Sequence, residues 1–289
     1  MIPTIQELTH YLPLIIIGAG ILVSLTIEMF YKGSKKVLPW FSVVLFLVNA
    51  YYSLYNVHDQ AYTTSTMLAS GGIIHIFYFL FNFSAAIVVF LSYDYIRKTG
   101  IYYGEFYILV QSAVLGMMLM ASAQDLVVIF LGLEQMSICF YVLAGINRKK
   151  KKSTEAALKY FLLGSFASGF IVYGMALIYG TTTTLSLPEI FVNVKHLSGS
   201  ILFYLGMILF IIGFAFKIAA FPFHMWVPDV YQGAPTTVTA LMSTAGKTAA
   251  FASLIAVLIP VIHIFDENLF RPFLSVLAVF SMVYGSIVA

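Results

Sequence analysis

Nine long apolar stretches, separated by short polar segments, make up most of this chain. They cover residues 11–30, 37–57, 73–93, 106–121, 126–146, 156–179, 201–227, 236–259 and 273–289. An α-helix needs about 20 mostly apolar residues to cross the hydrocarbon core of a bilayer. The pattern therefore predicts an all-α polytopic membrane protein with about nine transmembrane helices.

The seventh span contains a helix breaker. As one helix, residues 201–227 would be about 40 Å long, whereas the hydrocarbon core is about 30 Å thick. Pro222 cannot donate to the carbonyl of Ile218 and its ring clashes there, so we predict that the helix opens just after Lys217. Backbone freed at membrane depth is tolerated where it is buried in protein or lines a wet cavity, and a broken helix beside an ionisable side chain is typical of transporter ion sites.

Basic residues are distributed unevenly between the loops. If the N-terminus is outside, the opposite loops hold only Lys195 and Arg271. The cytoplasmic loops then hold Lys32, Lys35, Lys36, Arg97, Lys98, Arg148, Lys149, Lys150, Lys151 and Lys152. This asymmetry predicts a multi-pass protein with its N-terminus outside, and it suits a bacterial inner membrane, although organellar membranes also fit.

The composition supports a membrane protein and limits the kinds of binding site and redox centre that we expect. The 289 residues are 61% hydrophobic and 9% charged, with a mean hydropathy of +0.96, which excludes an ordinary soluble domain. Cys139 is the one cysteine and lies in an apolar span, so we expect no disulfide, metal site or intrinsic redox centre. Residues 245–248 (AGKT) end like a phosphate-binding loop, but Leu241 stands where its first glycine belongs, so no nucleotide site is expected. Nucleic acid is not an expected partner either.

The chain has no visible soluble domain, and we interpret residues 1–289 as one transmembrane domain. The first apolar run is about as long as a full span and has no basic segment before it, which favours a retained helix over a cleaved signal peptide. The last span ends at Ala289 without a flanking charge or cap. This ending suggests an interrupted chain.

Three ionisable residues within the predicted spans lie too deep, or too close to the predicted break, to be interfacial. Glu134 is eight residues into the fifth span, Lys217 is at the predicted break, and Lys247 is near the middle of the eighth span. A charge in hydrocarbon requires a partner, a cavity or a role. Together they can form a chain in which a carboxylate pairs with one lysine and a second lysine gives or takes a proton. The alternative is a static ion pair that fixes helix packing.

Other polar residues have two interpretations each. Lys159 either snorkels to the interface or connects the buried chain to the cytoplasm. His224, just after the break, is either a proton shuttle or a hydrogen-bonded structural residue. Asp229 is interpreted as a turn or cap residue, and Glu28 as an interfacial partner of Lys32.

Small and aromatic residues are interpreted as packing and surface elements. Gly164 and Ser168, four residues apart, are expected to face a helix interface. The 19 Tyr and 26 Phe are expected to be mostly lipid-facing or interfacial.

Three segments resemble a known family. They are EQMSICFYVLAG (134–145), STEAALKYFLLGSFASGFIVYGMALIYG (153–180) and FKIAAFPFHMWVPDVYQGAPTTVTALMSTAGKTAAF (216–251). They are similar to subunit N of the proton-translocating NADH-quinone oxidoreductase, respiratory complex I. Subunits L and M and the multisubunit cation/proton antiporters are more distant, and the wording PDVYQGAPT is typical of the subunit N form.

The resemblance implies a fold and roles for individual residues. The family fold has two inverted five-helix repeats, each with a broken helix. Helices four to eight, within residues 104–259, would form the first repeat after a three-helix part at 1–103, and residues 260–289 would begin an incomplete second repeat. In such subunits Glu134 would pair with Lys217, Lys247 would relay protons toward a central hydrophilic axis, and Lys159 and His224 would belong to the same network.

The resemblance also implies that the chain functions within a larger enzyme complex. The chain would be a subunit of an enzyme, NADH:quinone oxidoreductase, without bond chemistry of its own. NADH, FMN, iron–sulfur clusters and quinone would be bound by partner subunits, and this chain would contact other membrane subunits of complex I, lipid and protons. Two alternatives are a subunit of a multisubunit cation/proton antiporter and a structural membrane scaffold whose buried charges fix packing.

Overall fold

The computed structural model describes residues 9–58, 62–63, 67–101, 103–193, 197, 199–264 and 267–288. Its α-helices are α1 (Leu12–Phe30), α2 (Ser34–Tyr55), α3 (Ile73–Thr99), α4 (Glu105–Ser122), α5 (Leu126–Ala144), α6 (Lys151–Thr182), α7 (Leu187–Asn193), α8 (Ile201–Ile218), α9 (Val227–Gly233), α10 (Thr236–Leu241), α11 (Lys247–Ile264) and α12 (Glu267–Val288). A short antiparallel pair, β1 (Tyr62–Thr63) and β2 (Ala69–Ser70), lies between α2 and α3.

The predicted membrane architecture is confirmed. Within the described ranges, nine helical stretches are long and apolar enough to cross a membrane. They correspond to the nine predicted spans, with boundaries that differ by a few residues. Lys195, which entered the charge comparison, lies outside the described residues, and the outside position of the N-terminus stays a prediction.

The seventh span is broken where Pro222 predicts. Helix α8 ends at Ile218, and Ala219 takes a left-handed conformation with φ of 62°. Residues 221–226 then form turns, with a cis peptide bond between Phe221 and Pro222. Beyond the turns the chain is helical again, because α9 begins at Val227 with a proline in its first turn.

The eighth span is composite, which the sequence did not indicate. Between α10 and α11 the helix takes a π-helical turn, Met242–Gly246. Lys247 is the first residue after this wider turn.

Glycines bring two pairs of helices into close contact. A Cβ atom on Gly116 of α4 would lie 2.6 Å from the carbonyl oxygen of Gly132 on α5. A Cβ atom on Gly174 of α6 would lie equally close, 2.6 Å, to the carbonyl oxygen of Gly206 on α8. Small residues at membrane helix crossings let backbones approach in this way. The close pairs α4/α5 and α6/α8 include the helices that carry the candidate site. The grouping of residues 104–259 as one repeat stays a prediction.

Candidate functional site

Lys217 is a buried cation at the broken helix. It lies in the last turn of α8, and only 6% of it is exposed. Its Nζ donates hydrogen bonds to Ser137 Oγ at 2.9 Å and to Tyr141 OH at 3.2 Å. Both acceptors belong to α5 and are four residues apart, so they lie on one face of that helix. Lys217 is therefore held by two neutral hydroxyl groups.

Glu134 lies on the same face of α5, one turn before Ser137. Its Oε1 accepts a hydrogen bond from Ser168 Oγ of α6 at 2.5 Å. The packing interpretation of Ser168 was therefore incomplete, because this hydroxyl also contacts a candidate site residue. Its neighbour Gly164 does serve packing, since a Cβ atom there would overlap the hydroxyl of Tyr141.

Glu134 and Lys217 are linked indirectly, by residues on one face of α5. Among the described residues, the salt bridges are made by Lys159. Glu134 and Lys217 thus form no direct ion pair, although a Coulomb attraction acts between them. Ser137 occupies the intermediate position, because it is one helical turn from Glu134 and accepts from Lys217. The expected pairing of Glu134 with Lys217 is therefore indirect.

Aromatic side chains close the site on the side of the break. Trp226 donates from Nε1 to the carbonyl oxygen of Phe216 at 3.0 Å, which satisfies a carbonyl in the last turn of α8. The Trp226 ring stacks on Tyr160 with centroids 4.5 Å apart, and Tyr160 meets Tyr141 edge-on at 4.8 Å. Tyr141, Tyr160 and Trp226 are buried. These three are exceptions to the expectation that the aromatic residues are mostly lipid-facing or interfacial, because they pack inside the helix bundle.

Lys247 lies in a second group with His224. The two residues line a cavity of about 320 Å³, together with Phe221 and Tyr284. The His224 ring lies 4.4 Å from the Tyr284 ring and 5.6 Å from the Phe221 ring, and its Nδ1 is buried without a hydrogen-bond partner among the described residues. The structure therefore brings His224 and Lys247 to one cavity, and Glu134 is not among the residues that line it.

Tyr231 lies between the two groups. Lys247 Nζ is 5.8 Å from the centre of its ring, and the ring meets Trp226 edge-on at 6.0 Å. The Tyr231 hydroxyl is buried and has no hydrogen-bond partner among the described residues. Tyr141, Tyr160, Trp226 and Tyr231 thus form a continuous row of rings between Lys217 and Lys247.

Lys159 is exposed and paired with two carboxylates. Its Nζ lies 2.7 Å from Glu155 Oε1, one turn away on α6, and 2.6 Å from Asp229 Oδ2 on α9. The interpretation of Asp229 as a turn or cap residue was incomplete, because this side chain joins α9 to α6. The predicted pair of Glu28 with Lys32 is not formed, and Glu28 Oε2 is buried without a hydrogen-bond partner among the described residues.

The site holds no arrangement typical of a bound metal. In the described ranges, no group of three or more His, Cys, Asp or Glu side chains is close enough to hold an ion. Cys139 is a free thiol buried in α5. The hydroxyl, carboxylate and ammonium groups present are suited to hydrogen bonding and proton exchange.

Curated relatives carry the name that the three segments suggested. The chain is 38% identical over 286 residues to "NADH-quinone oxidoreductase subunit N 1" of Chloroherpeton thalassium, which covers 99% of this chain and 60% of the relative. It is 45% identical over 216 residues to "NADH-quinone oxidoreductase subunit N" of Moorella thermoacetica, with 74% of this chain and 44% of the relative covered. The resemblance to subunit N is confirmed, and the chain spans about three fifths or less of the length of these relatives.

Solved structures share the fold. A chain of "Respiratory complex I from Thermus thermophilus with bound Aureothin" matches with a TM-score of 0.78 and 30% identity, covering 96% of this chain and 58% of that chain. A chain of the membrane-bound sulfane sulfur reductase, an archaeal respiratory membrane complex, matches with a TM-score of 0.65 and 24% identity, covering 84% of this chain and 51% of that one. At that identity the second match shows the fold alone.

A family model places the chain more broadly. The model described as "NADH:quinone oxidoreductase/Mrp antiporter, TM" matches residues 123–289, a region that holds Glu134, Lys159, Lys217, His224 and Lys247. The match covers more than half of the chain. The chain therefore belongs to the NADH:quinone oxidoreductase/Mrp antiporter transmembrane family.

Proposed function

We propose that this chain is a proton-translocating membrane subunit of an NADH-quinone oxidoreductase. Electron transfer in other subunits would drive protons through Glu134, Lys217 and Lys247. The observation that carries this proposal is the environment of Lys217, a lysine buried at a broken helix and held by the hydroxyls of Ser137 and Tyr141. The names of the curated relatives support the enzyme complex.

The two hydroxyls suit a lysine that changes its protonation state. A hydroxyl group both donates and accepts hydrogen bonds. Ser137 and Tyr141 accept from the charged ammonium and can donate to the neutral amine after their hydrogens rotate. A carboxylate in the same position would stabilise only the charged form. This difference favours a proton carrier over a structural scaffold with a fixed ion pair.

Glu134 would control the proton on Lys217 from a distance. Its negative charge attracts the ammonium group without contacting it. A change in the position or protonation of Glu134 would therefore change how strongly Lys217 holds its proton. The hydrogen bond from Ser168 fixes the carboxylate in its present position.

Lys247 would receive the proton on the other side of the aromatic row. The hydroxyl of Tyr231 has no partner among the described residues and belongs to a ring whose centre is 5.8 Å from Lys247 Nζ. Beyond it, the cavity shared by Lys247 and His224 is large enough for water, and their polar groups can bind it. Lys159 and Asp229 would connect this region to the cytoplasmic surface.

The same proposal covers the partners of the chain, the cofactors of the complex and the membrane location. Its partners would be other membrane subunits of complex I and the lipid bilayer, with NADH, FMN, iron–sulfur clusters and quinone bound by partner subunits. The location would be a bacterial inner membrane with the N-terminus outside. Residues 104–259 would form the first antiporter-like repeat.

The test is Lys217→Ala in the assembled complex, built with the full-length subunit. Assembly, NADH-driven turnover and proton pumping are measured in one membrane preparation, with Lys149→Ala in an exposed loop as the matched control. We expect an assembled complex in which turnover and pumping both fall, while the control equals the wild type. Unchanged turnover and pumping in Lys217→Ala would show that the buried charges are structural.

A second candidate is a subunit of a cation/proton antiporter, because the matching family model includes Mrp antiporters. This candidate requires sodium-dependent proton movement without NADH. The measurement is proton movement across vesicles that hold the assembled complex, with a sodium gradient and no electron donor. Proton movement under these conditions that disappears in Lys217→Ala would support the antiporter.

A further inference from the structure

A basic cavity lies at the end of the helix bundle that the charge pattern assigns to the cytoplasm. It has a volume of about 790 Å³ and is bounded by the segment between α1 and α2, the end of α3 and the beginning of α4. Lys32, Lys35, Lys36 and Arg97 line it. This cavity is separate from the residues of the proposed proton route.

None of the four basic residues of this cavity is paired with a described carboxylate. The lining of the cavity includes no Asp or Glu among the described residues. Glu28 and Asp94, which are four residues from Lys32 and three residues from Arg97, form no salt bridge with these cations. Four like charges in one cavity repel each other, so an anionic occupant would stabilise it.

Tyrosine side chains form the other part of the lining. Tyr31, Tyr93, Tyr103 and Tyr107 contribute to it. Tyrosine is enriched where a membrane protein meets the lipid headgroups, because its ring is apolar and its hydroxyl is polar. The lining thus combines hydroxyl donors and cations, the two kinds of group that bind a phosphate.

Apolar surface continues from the cavity along the helices. Trp40 of α2 is half exposed and packs against Phe90 and Tyr93 of α3, with ring centroids 6.2 Å and 5.8 Å away. Phe30 at the end of α1 is also exposed, at 82%. A free phosphate ion would gain nothing from this surface, whereas the acyl chains of a lipid would bury it.

We propose that this cavity binds the headgroup of an anionic phospholipid, with the phosphate among Lys32, Lys35, Lys36 and Arg97 and the acyl chains along Trp40 and Phe90. Basic cavities between transmembrane helices on the cytoplasmic side recognise such headgroups. The lipid would join the α1–α2 segment to the end of α3 through a shared anion. This role is independent of the proposed proton transfer.

The test measures lipid retention by the full-length chain purified in a neutral detergent. Native mass spectrometry compares phosphatidylglycerol with phosphatidylcholine, which carries a phosphate but no net charge. One variant replaces Lys32, Lys35, Lys36 and Arg97 by Gln. The matched control replaces Lys149, Lys150, Lys151 and Lys152 by Gln, which removes the same charge from exposed positions before and at the start of α6, outside the cavity.

We expect the wild type and the loop variant to retain phosphatidylglycerol in preference to phosphatidylcholine. Because each basic residue near an anionic headgroup contributes about fivefold in affinity, the cavity variant should retain both lipids equally. Equal loss in the two variants would assign the preference to general surface charge and overturn the proposal. Displacement of the lipid by millimolar inorganic phosphate would also overturn it, because the site would then be one for free phosphate.

A second variant keeps all four charges and fills the cavity. Val37 also lines it, and Val37→Trp places a large side chain there. We expect this variant to lose the preference for phosphatidylglycerol while keeping the thermal stability of the wild type in detergent. Retention unchanged in Val37→Trp would show that the lipid binds elsewhere.

Discussion

Lys159 Nζ lies 2.6 Å from Asp229 Oδ2, and this contact joins α6 to the short helix that follows the break. Both side chains are about half exposed, so the pair contributes little to folding stability. Its effect is positional, because it holds the far end of the broken segment against the helix that carries Ser168. The proposed coupling between the cytoplasmic surface and the buried site passes through this contact.

Asp229→Asn tests that coupling. Glu155→Gln is the matched control, since it removes the other carboxylate of Lys159 and leaves the link between α6 and α9 intact. We expect Asp229→Asn to lower proton pumping by about twofold to fivefold, with unchanged assembly, and Glu155→Gln to have a smaller effect. Equal pumping in the two variants would contradict a special role for α9.

Ser168→Ala tests the hydrogen bond to Glu134. A hydrogen bond to a charged group contributes about 1.5–3 kcal/mol, and its loss would free the Glu134 carboxylate to move relative to Lys217. We therefore expect an assembled complex with reduced coupling between NADH oxidation and pumping. The control is Ser165→Ala, an exposed position on the same helix. The prediction is contradicted by normal coupling in Ser168→Ala.

Gly164→Ala tests the position of Tyr141. The added methyl group would overlap the Tyr141 hydroxyl, and Tyr160 and Phe161 limit the movement of that ring. Overpacking of this kind costs about 1–3 kcal/mol, so the melting temperature should fall together with proton pumping. Gly169→Ala on the same helix meets no atom within 4 Å, and we expect it to be neutral or slightly stabilising. Similar melting temperatures for the two variants would contradict the contact.

Tyr231→Phe separates packing from proton transfer. The variant keeps the ring near Lys247 and removes a buried hydroxyl that has no hydrogen-bond partner among the described residues. An unsatisfied buried polar group costs about 1–3 kcal/mol, so thermal stability should stay equal or rise. Pumping should fall if the hydroxyl carries protons between the two groups. Tyr173→Phe, at an exposed position of α6, is the control, and unchanged pumping in Tyr231→Phe would remove Tyr231 from the route.

Features that depend on one residue's own chemistry could be predicted from the sequence. The break follows from the covalent structure of Pro222, and the nine spans follow from the length of apolar runs. The burial of Lys217 also follows from its position inside an apolar span, whereas Glu134, which is eight residues into its span, is only partly buried. These are local properties of the chain.

Features that depend on distant partners could not be predicted. Lys159 and Asp229 are 70 residues apart, and no spacing rule relates them. Ser168 also donates to the carbonyl oxygen of Gly164 in its own helix, which is how a serine in a membrane helix commonly satisfies its hydroxyl, so its contact with Glu134 left no signal in the sequence. The π-helical turn before Lys247 was likewise not predicted, because its residues, MSTAG, carry no proline or charge that would mark a change of helical pitch.

The early end of α8 also changes the electric field at Lys217. The peptide dipoles of a helix sum to about half a negative charge at its C-terminus, and Lys217 lies in that last turn. A helix continued to Val227 would carry this negative end about 14 Å farther away. By stopping at Ile218, the chain places backbone partial charge beside a cation that has no carboxylate in contact with it. The break thus lowers the cost of burying that cation without adding an acidic residue.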